Sequence, residues 1–437
     1  MAFLIVPNEV DTKKAVVWVA SINEPFDATT AELLYGAAQL PLHDKWIDFK
    51  TSDGKDQIQY QRVTLPNLTP GTNYPLTLRV SGQDTADASV RTLPDRLPVT
   101  GERPFTVLLG SCYFGRQDKS GRVGQTFFRL PNDAKPDIKI LCGDQVYLDN
   151  PPQDFIIPRG HNWLQSRSFR TYAASWTQTT PGGGFNELLK RNANFFSSDD
   201  HEFWNNAPDF GLNVPTFTLT QGQRTTWQTI GRELYRVFQN EPTPPICFKV
   251  GALSFCNADT RFFRERAHGN LLQPGDLKTI GDWIGNLTGP GVLVLGQPYF
   301  ADKGSIKDWG LPDFQQFPEL TRQLRSSQHT IVILTGDVHF GRVAFANLRP
   351  ELGTKLVEVI SSPMKIVSPV AAGKYSPAPQ VFGAVNSRPD FSKGRDHFLT
   401  LEFLALSASR ASMAIKMWPI TDGQPQPEIV GDPIELI

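Results

Sequence analysis

Cysteine is scarce. The 437 residues hold four (Cys112, Cys142, Cys247 and Cys256), with no CxxC spacing among them. That excludes a dense disulfide framework and reads as free or ligating thiols, in keeping with a reducing compartment. An excess of either charge is lacking too: 43 Lys and Arg against 44 Asp and Glu leave a formal charge of −1. No Lys/Arg run stands out, so nothing favours long nucleic acid or an anionic membrane as partner. No stretch of about 18 apolar residues occurs, so no membrane span is expected. The start, MAFLIVPNEVDTKK, lacks a basic n-region, twin arginines and a full h-region. It is not a secretory signal, and a cytoplasmic location is expected. Internal repeats and low-complexity tracts are absent. What remains is an ordinary soluble composition, 40% hydrophobic and 20% charged, long enough for two to four domains and a large core without staples. Glycine and proline, 35 of each, imply many turns and long loops, where sites are usually built.

The first hundred residues read as short strands cut by Pro, Gly, Asn and Asp clusters: 3–6, 15–20, 31–36, 59–65 and 74–80. Such spacing without helical periodicity argues for a small β-sandwich. NLTPGTNY (67–74) would be a corner turn leading to a tyrosine at a strand start. Residues 91–104, with three prolines, read as a linker. After Phe105 the pattern changes. FTVLLG (105–110), DIKILCG (137–143), GVLVLGQ (291–297) and HTIVILTG (329–336) are continuous apolar runs suited to strands buried on both faces. Helical periodicity appears at 225–239, 275–287 and 314–327, the last interrupted by Pro318. This is a layered α/β domain, whose ligands gather at the carboxyl ends of strands.

The polar residues fall at those ends. Strand 105–110 runs into Ser111-Cys112, and strand 137–143 into Asp144-Gln145-Val146-Tyr147. Phe195-Phe196 leads to Ser198-Asp199-Asp200-His201-Glu202-Phe203-Trp204-Asn205-Asn206, and strand 329–336 ends in Asp337-Val338-His339. If the strands are neighbours, thiolate, phenolate, carboxylates and imidazole converge in one crevice. That is a metal centre by composition, because buried carboxylates need cations or partners to stay ionised. Gly-Asp after a strand is by itself equally a turn or a cap. Cys142, Cys247 and Cys256 read as core filling. Two adjacent acids followed by His and Glu, however, are costly to pack without a cation.

The order GSC, GDQVY, DDHEFWNN, DTRFFR (259–264) and GDVH resembles the PhoD-like alkaline phosphatases of the calcineurin-like metallophosphoesterase superfamily. The resemblance covers most of the chain, including the sandwich ahead of the catalytic domain, the QPGDLKTIGDWI helix and EVISSPM (358–364). It departs in lacking the family's usual twin-arginine leader. It implies an α/β metallophosphoesterase sandwich of two mixed sheets flanked by helices (104–437), preceded by an all-β, Ig/fibronectin-like sandwich (1–97). Against the superfamily pattern, Cys112 stands at the first ligand position and Asp144 at the bridging carboxylate. Asp200-His201 replaces Asn-His, and Asp337 replaces the first His of the last motif, leaving His339. Tyr147 is similar to the iron-binding tyrosine of purple acid phosphatases. Cys112 and Tyr147 suit Fe(III); Asp144, Asp200, Asn205 and Asp337 offer hard oxygens to Ca²⁺. The resemblance implies that iron and calcium pair, with Zn or Mn as alternatives.

The implied activity is hydrolysis of phosphate esters, mono- or diester, by in-line attack of a metal-activated water or hydroxide. His201 would assist the leaving oxygen or support a ligand carboxylate. Arg261 and Arg264 would clamp phosphate oxygens, or pair with Asp259. The substrate is expected to be a small phosphate ester. Rival readings are a phospholipase- or nuclease-type phosphodiesterase of the same fold, with loops 148–190 and 207–224 shaping its pocket, or a binding protein with a vestigial site. The sequence leaves the oligomeric state open.

Overall fold

Strand β2 (Ala15–Ile22) shows why the amino-terminal strands carry unbroken apolar runs: it is covered on both faces. Val17 and Val19 face one way and join Ile5, Val63 and Leu65 in the largest buried cluster. Trp18, Ala20 and Ile22 face the other way, into a second cluster with Phe169, Trp176 and Phe238. The computed structural model describes residues 2–150, 160–180, 183–209, 220–304, 309–366, 385–388, 391–392 and 394–437. Before Arg91 it contains two four-stranded antiparallel sheets. One is ordered β1-β2-β6-β5, from β1 (Ala2–Val10), β2, β6 (Gln57–Leu65) and β5 (Ile47–Lys50). The other is ordered β4-β3-β7-β8, from β4 (Ala38–Pro41), β3 (Ala31–Tyr35), β7 (Asn73–Val80) and β8 (Gln83–Arg91). The short edge strands β4 and β5 were not predicted: their residues are mostly exposed and carry no apolar run. The corner turn is present, with the Thr69 N–H donating to the Tyr74 hydroxyl at 2.8 Å. Leu93 and Leu97 of the expected linker are buried in the first cluster.

Two mixed seven-stranded sheets follow. In the first, β9 (Phe105–Gly110), β10 (Ile138–Cys142) and β11 (Ala193–Ser197) run parallel, and β19 (His397–Ala405) and β20 (Ala411–Pro419) extend the β9 edge antiparallel. In the second, β12 (Ile246–Val250) and β13 (Leu253–Asn257) form a hairpin beside parallel β14 (Gly291–Val294), β15 (Ile331–Thr335) and β17 (Thr354–Ile360). Strand β16 (Arg342–Arg349) pairs antiparallel with β17, and the short β18 (Asn386–Ser387) lies at the edge beyond it. The facing sides supply Val107, Leu109 and Ile140 against Val294, Leu334 and Val359. Helices cover the outer sides. α1 (Arg122–Phe128), α2 (His161–Trp176), α3 (Phe185–Leu189) and α4 (Gln221–Phe238) lie over the first sheet. α5 (Pro274–Gly285) and α6 (Phe317–Ser326) lie over the second.

The strand at 329–336 belongs to the sheet facing 105–110 and 137–143, so the strand ends meet across the two sheets. Two expectations are corrected. Pro318 sits in the first turn of α6, where its missing N–H costs nothing, and starts the helix instead of interrupting it. Cys247 is exposed, opposite buried Cys256 on β13, and is not core filling. Of the stretches read as pocket-shaping loops, 148–190 contains α2 and α3, while 151–159, 181–182 and 210–219 lie outside the described residues. Among the described residues no helix is long and apolar enough to cross a membrane.

Candidate metal centre

Four strand-end residues leave their strands through a left-handed turn: Cys112 (φ 56°), Asp144 (56°), Asp337 (69°) and His339 (56°). Outside glycine this costs about 1–2 kcal/mol per residue, and such costs persist where the surroundings over-determine them. Here the turns interlock. The Cys112 N–H donates to Gly143 O (3.3 Å), Tyr113 N–H to Asp144 O (2.7 Å), and Met364 N–H to Ser111 O (2.8 Å). Two glycines permit the approach. A Cβ on Gly143 would lie 2.3 Å from Asp199 Cβ, and one on Gly336 would lie 2.4 Å from Ser111 Cβ.

The side chains meet in one acid cluster. Carboxylate oxygens of Asp144, Asp199, Asp200 and Asp337 all lie within 4.8 Å of one another, and Asp144, Asp200 and His201 form a second such group. Asp144 accepts from the His201 N–H (3.0 Å) and from the Cys112 thiol (3.4 Å). Asp199 Oδ2 and Asp200 Oδ1 are buried with no hydrogen-bond partner. Burial, Cys112 and the other acids push Asp144 well above the carboxylate range, and burial lifts Asp199 to about 6. Despite burial, the imidazole of His201 and Arg261 already offset part of this charge and hold Asp200 below its ordinary value, and the remaining acids are suited to a bound cation. The donors therefore fit a divalent or trivalent metal: hard oxygens, two of them unpartnered, with a thiol at the rim.

Cys112 touches Asp144 but belongs to neither group; its thiol also accepts from Ser362 Oγ (3.2 Å), and burial raises it to about 12. Tyr147 stacks on His201 with centroids 4.1 Å apart. Its buried hydroxyl lacks a well-formed hydrogen bond and has Cys112 as its polar neighbour. The Asn205 amide oxygen accepts from Asn206 Nδ2 (3.3 Å). His339 is half-buried, its N–H on Ser362 Oγ (3.1 Å); burial and His201 lower it to about 4.

The support comes from residues the sequence reading passed over. Asp199, adjacent to Asp200, was legible in the Asp-Asp pair itself. Asp149 holds His201 Nδ1 at 2.7 Å and the Asn205 N–H at 2.9 Å, leaving His201 Nε2 4.0 Å from Asp200. Gln297, at the end of another strand-Gly-polar run, donates to Asp337 Oδ2 (3.0 Å). Glu202 is no metal ligand candidate: its carboxylate accepts the N–H groups of Asp144, Gln145 and Asp199 at 2.8–2.9 Å. Backbone amides, not a cation, thus satisfy the last acid of the DDHE run.

The two arginines differ. Arg261 Nε pairs with Asp199 (2.6 Å), not Asp259, which instead accepts the Arg261 backbone N–H. Arg264 donates Nε to Thr260 O (3.0 Å) and lies over Phe314, but its Nη1 and Nη2 are buried with no partner. Burial and the nearby Arg261 lower it to about 9, while Asp199, Asp200 and Asp337 pull the other way.

No family model and no curated protein matches the chain. Seven solved chains match. One, described as "Structure of PhoD", superposes with a TM-score of 0.61 over 97% of this chain and 88% of that one. The chain shares its fold with PhoD. At 13% identity the likeness to PhoD is one of fold, and the chemistry rests on the residues above.

Proposed function

We propose that the chain is a metal-dependent phosphoric ester hydrolase of the alkaline phosphatase/phosphodiesterase kind, with residues 1–97 as an Ig/fibronectin-like sandwich and 104–437 as the catalytic domain. One observation carries the reading: two unpartnered, buried guanidinium nitrogens of Arg264 share the electrostatic field of an acid cluster with unpartnered oxygens. Anion-binding groups and cation-binding groups in one crevice suit a phosphate ester held by metals.

In this assignment Asp144 would serve both metals, with Cys112 and Tyr147 holding Fe(III) and Asp200, Asn205, Asp337 and His339 holding Ca²⁺, or Zn or Mn as the alternative set. Asn205 would offer its amide oxygen, which here accepts from Asn206 Nδ2. Bound metals would supply Lewis-acid polarisation of the phosphate and a water of lowered pKa. The chain's residues do the rest. Arg264 donates its free N–H pair to non-bridging phosphate oxygens, and Arg261 holds Asp199 in place. His201, charged through Asp149, Asp200 and Asp144 despite its burial, presents Nε2 as a proton donor to the departing alkoxide. The fold of PhoD and the donor set support this reading. Metal-loaded protein assayed on a panel of phosphate mono- and diesters, with elemental analysis alongside, tests it. Hydrolysis that tracks metal content is expected; metal-loaded protein inert on every ester would overturn it.

A further inference from the structure

Cys247 and Cys256 take no part in the acid cluster, yet they stand against each other, both as free thiols. In the β12–β13 hairpin the Cα partners run Cys247↔Cys256, Phe248↔Phe255, Lys249↔Ser254 and Val250↔Leu253. Only Gly251 and Ala252 join the two strands. Across so short a connection the flanking pair, Val250 and Leu253, is a hydrogen-bonded one, and along an antiparallel ladder hydrogen-bonded and open pairs alternate. Cys247 and Cys256 lie three pairs further along, at an open position. The Cα atoms of an open pair stand about 4.5 Å apart with their side chains close together on one face. A disulfide asks for a Cα separation of about 4.4–6.8 Å. The hairpin thus holds its two thiols at bridging distance.

The register that brings them together is fixed from the opposite face. There Phe248 stacks on Phe255 (centroids 4.7 Å, planes 5°) and on Phe195 of β11 (4.5 Å, 24°), inside the largest buried cluster. A slip of one residue would turn these rings out of the core. On the thiol face the two cysteines differ in access. β12 is the edge strand of its sheet and Cys247 is exposed, whereas Cys256, one strand in, is buried in a cluster with Leu277, Ile280 and Trp283 of α5. Cys256 draws the Cys247 thiol below its ordinary value, while Cys247 and burial push Cys256 well above. The sulfur that meets solutes is therefore also the one that ionises first, and the buried sulfur faces its partner. This is the division between an attacking and a resolving thiol.

We propose that Cys247 and Cys256 form a reversible thiol–disulfide couple, a redox modification site whose co-substrate is a low-molecular-weight disulfide of the glutathione kind. The Cys247 thiolate attacks one sulfur of the small disulfide, forming a mixed disulfide and releasing one small thiol. Cys256 then gives up its proton and attacks Cys247 Sγ; the mixed disulfide breaks and the second small thiol leaves. Two protein thiols lose two electrons and two protons, and the small disulfide gains both as two thiols. The closed bond ties the edge strand to β13, the strand that runs on to Asp259 and Arg261. Neither step passes through the acid cluster, so the couple stands apart from the hydrolase assignment.

The test treats full-length native protein with oxidised glutathione, alkylates the remaining thiols and maps the peptides by mass. In the wild type the peptides carrying Cys247 and Cys256 are expected to be joined, two hydrogens lighter than their reduced sum, and to separate again in reduced glutathione. Cys256→Ala, a small apolar replacement for a buried site, should stop at the mixed disulfide and keep glutathione on Cys247. Cys247→Ser, at an exposed position, should show neither bridge nor adduct, because Cys256 is shielded from solutes. The wild type alone decides the main point. Both thiols left open to alkylation, a lasting glutathione adduct on Cys247 without a bridge, or a bridge that forms only after unfolding in denaturant would each overturn the couple. Glutathione found on Cys256 in Cys247→Ser would overturn the assigned order of attack.

Discussion

Gly336→Ala is the sharpest single test of how the crevice is built. Gly336 follows β15 directly, one residue before Asp337, and its N–H is held by Gly296 O at 3.0 Å. An added Cβ would stand 2.4 Å from both Cβ and Oγ of Ser111 and 2.8 Å from the Cys142 carbonyl oxygen. Ordinary contact begins at 3.4 Å, so about 1 Å must be found (3.4 − 2.4). Ser111 cannot swing away freely, since its Oγ donates to Ser361 O at 2.9 Å, and the Cys142 carbonyl is β10 backbone. Relief must come from drawing the β15 end back, which carries Asp337 away from Asp144. Overpacking of this kind costs about 1–3 kcal/mol, tolerable for a large domain. A displacement of about 1 Å in a catalytic constellation costs on the order of 100-fold in rate. The expected result is a folded protein, a few degrees less stable, with kcat/KM on an aryl phosphate down about 100-fold and reduced metal content. Gly222→Ala in the first turn of α4, where a Cβ meets nothing within 4 Å, is the control; it should keep full activity and gain up to about 1 kcal/mol. A Gly336→Ala protein with unchanged metal content and turnover would refute the reasoning.

Asp144→Asn should cut turnover by several orders of magnitude, because it removes the charge proposed to bridge both metals. Asp87→Asn should leave turnover alone and cost at most about 1 kcal/mol in denaturant titration, since Asp87 makes only exposed pairs with Lys190 and Arg191. Tyr147→Phe and Cys112→Ser should each shift or bleach a visible ligand-to-iron charge-transfer band and lower iron occupancy, the larger loss coming from Cys112→Ser; spectra and rates intact in both would remove them from the iron site. Arg264→Ala should raise KM and inorganic phosphate Ki about tenfold or more, as expected for charge-assisted bonds, with Arg264→Lys recovering only part because it cannot offer a paired donor; equal KM in all three proteins would place the phosphate elsewhere.

How much of this was legible in the sequence follows from where the signal resided. Runs such as FTVLLG and HTIVILTG announced their strands because both faces are covered. β20 did not, because it alternates buried and half-buried residues and carries Lys416 at its centre. α2 stayed hidden because Gln165, Ser166, Arg167 and Ser168 are buried among its apolar residues, which breaks the stripe a 3.6-residue period would show. In the site, residues that end strands were visible, since Gly-then-acid after an apolar run is a local pattern. Asp149 and Ser362 were not: each acts on a residue at least 52 positions away or from the other sheet, and nothing local marks it. Glu202 was visible but misjudged, because three backbone amides that neutralise it can be seen only once the turns have closed.

The crevice is also a seam. Cys112, Asp144, Asp199 and Asp200 hang from one sheet and Asp337 from the other, Cys112 and Asp337 standing 225 positions apart in sequence. Hydrogen bonds cross it, as at Ser111–Ser361 and Leu109–Ser361. Under the proposed assignment a cation shared by Asp144 and Asp337 is a rivet between two halves of the core, and its affinity is written into heat resistance. Each tenfold excess of free metal over its dissociation constant should add about 1.4 kcal/mol. A melting curve taken across a series of metal buffers would then report which ion the seam was shaped to hold, with no substrate in the tube.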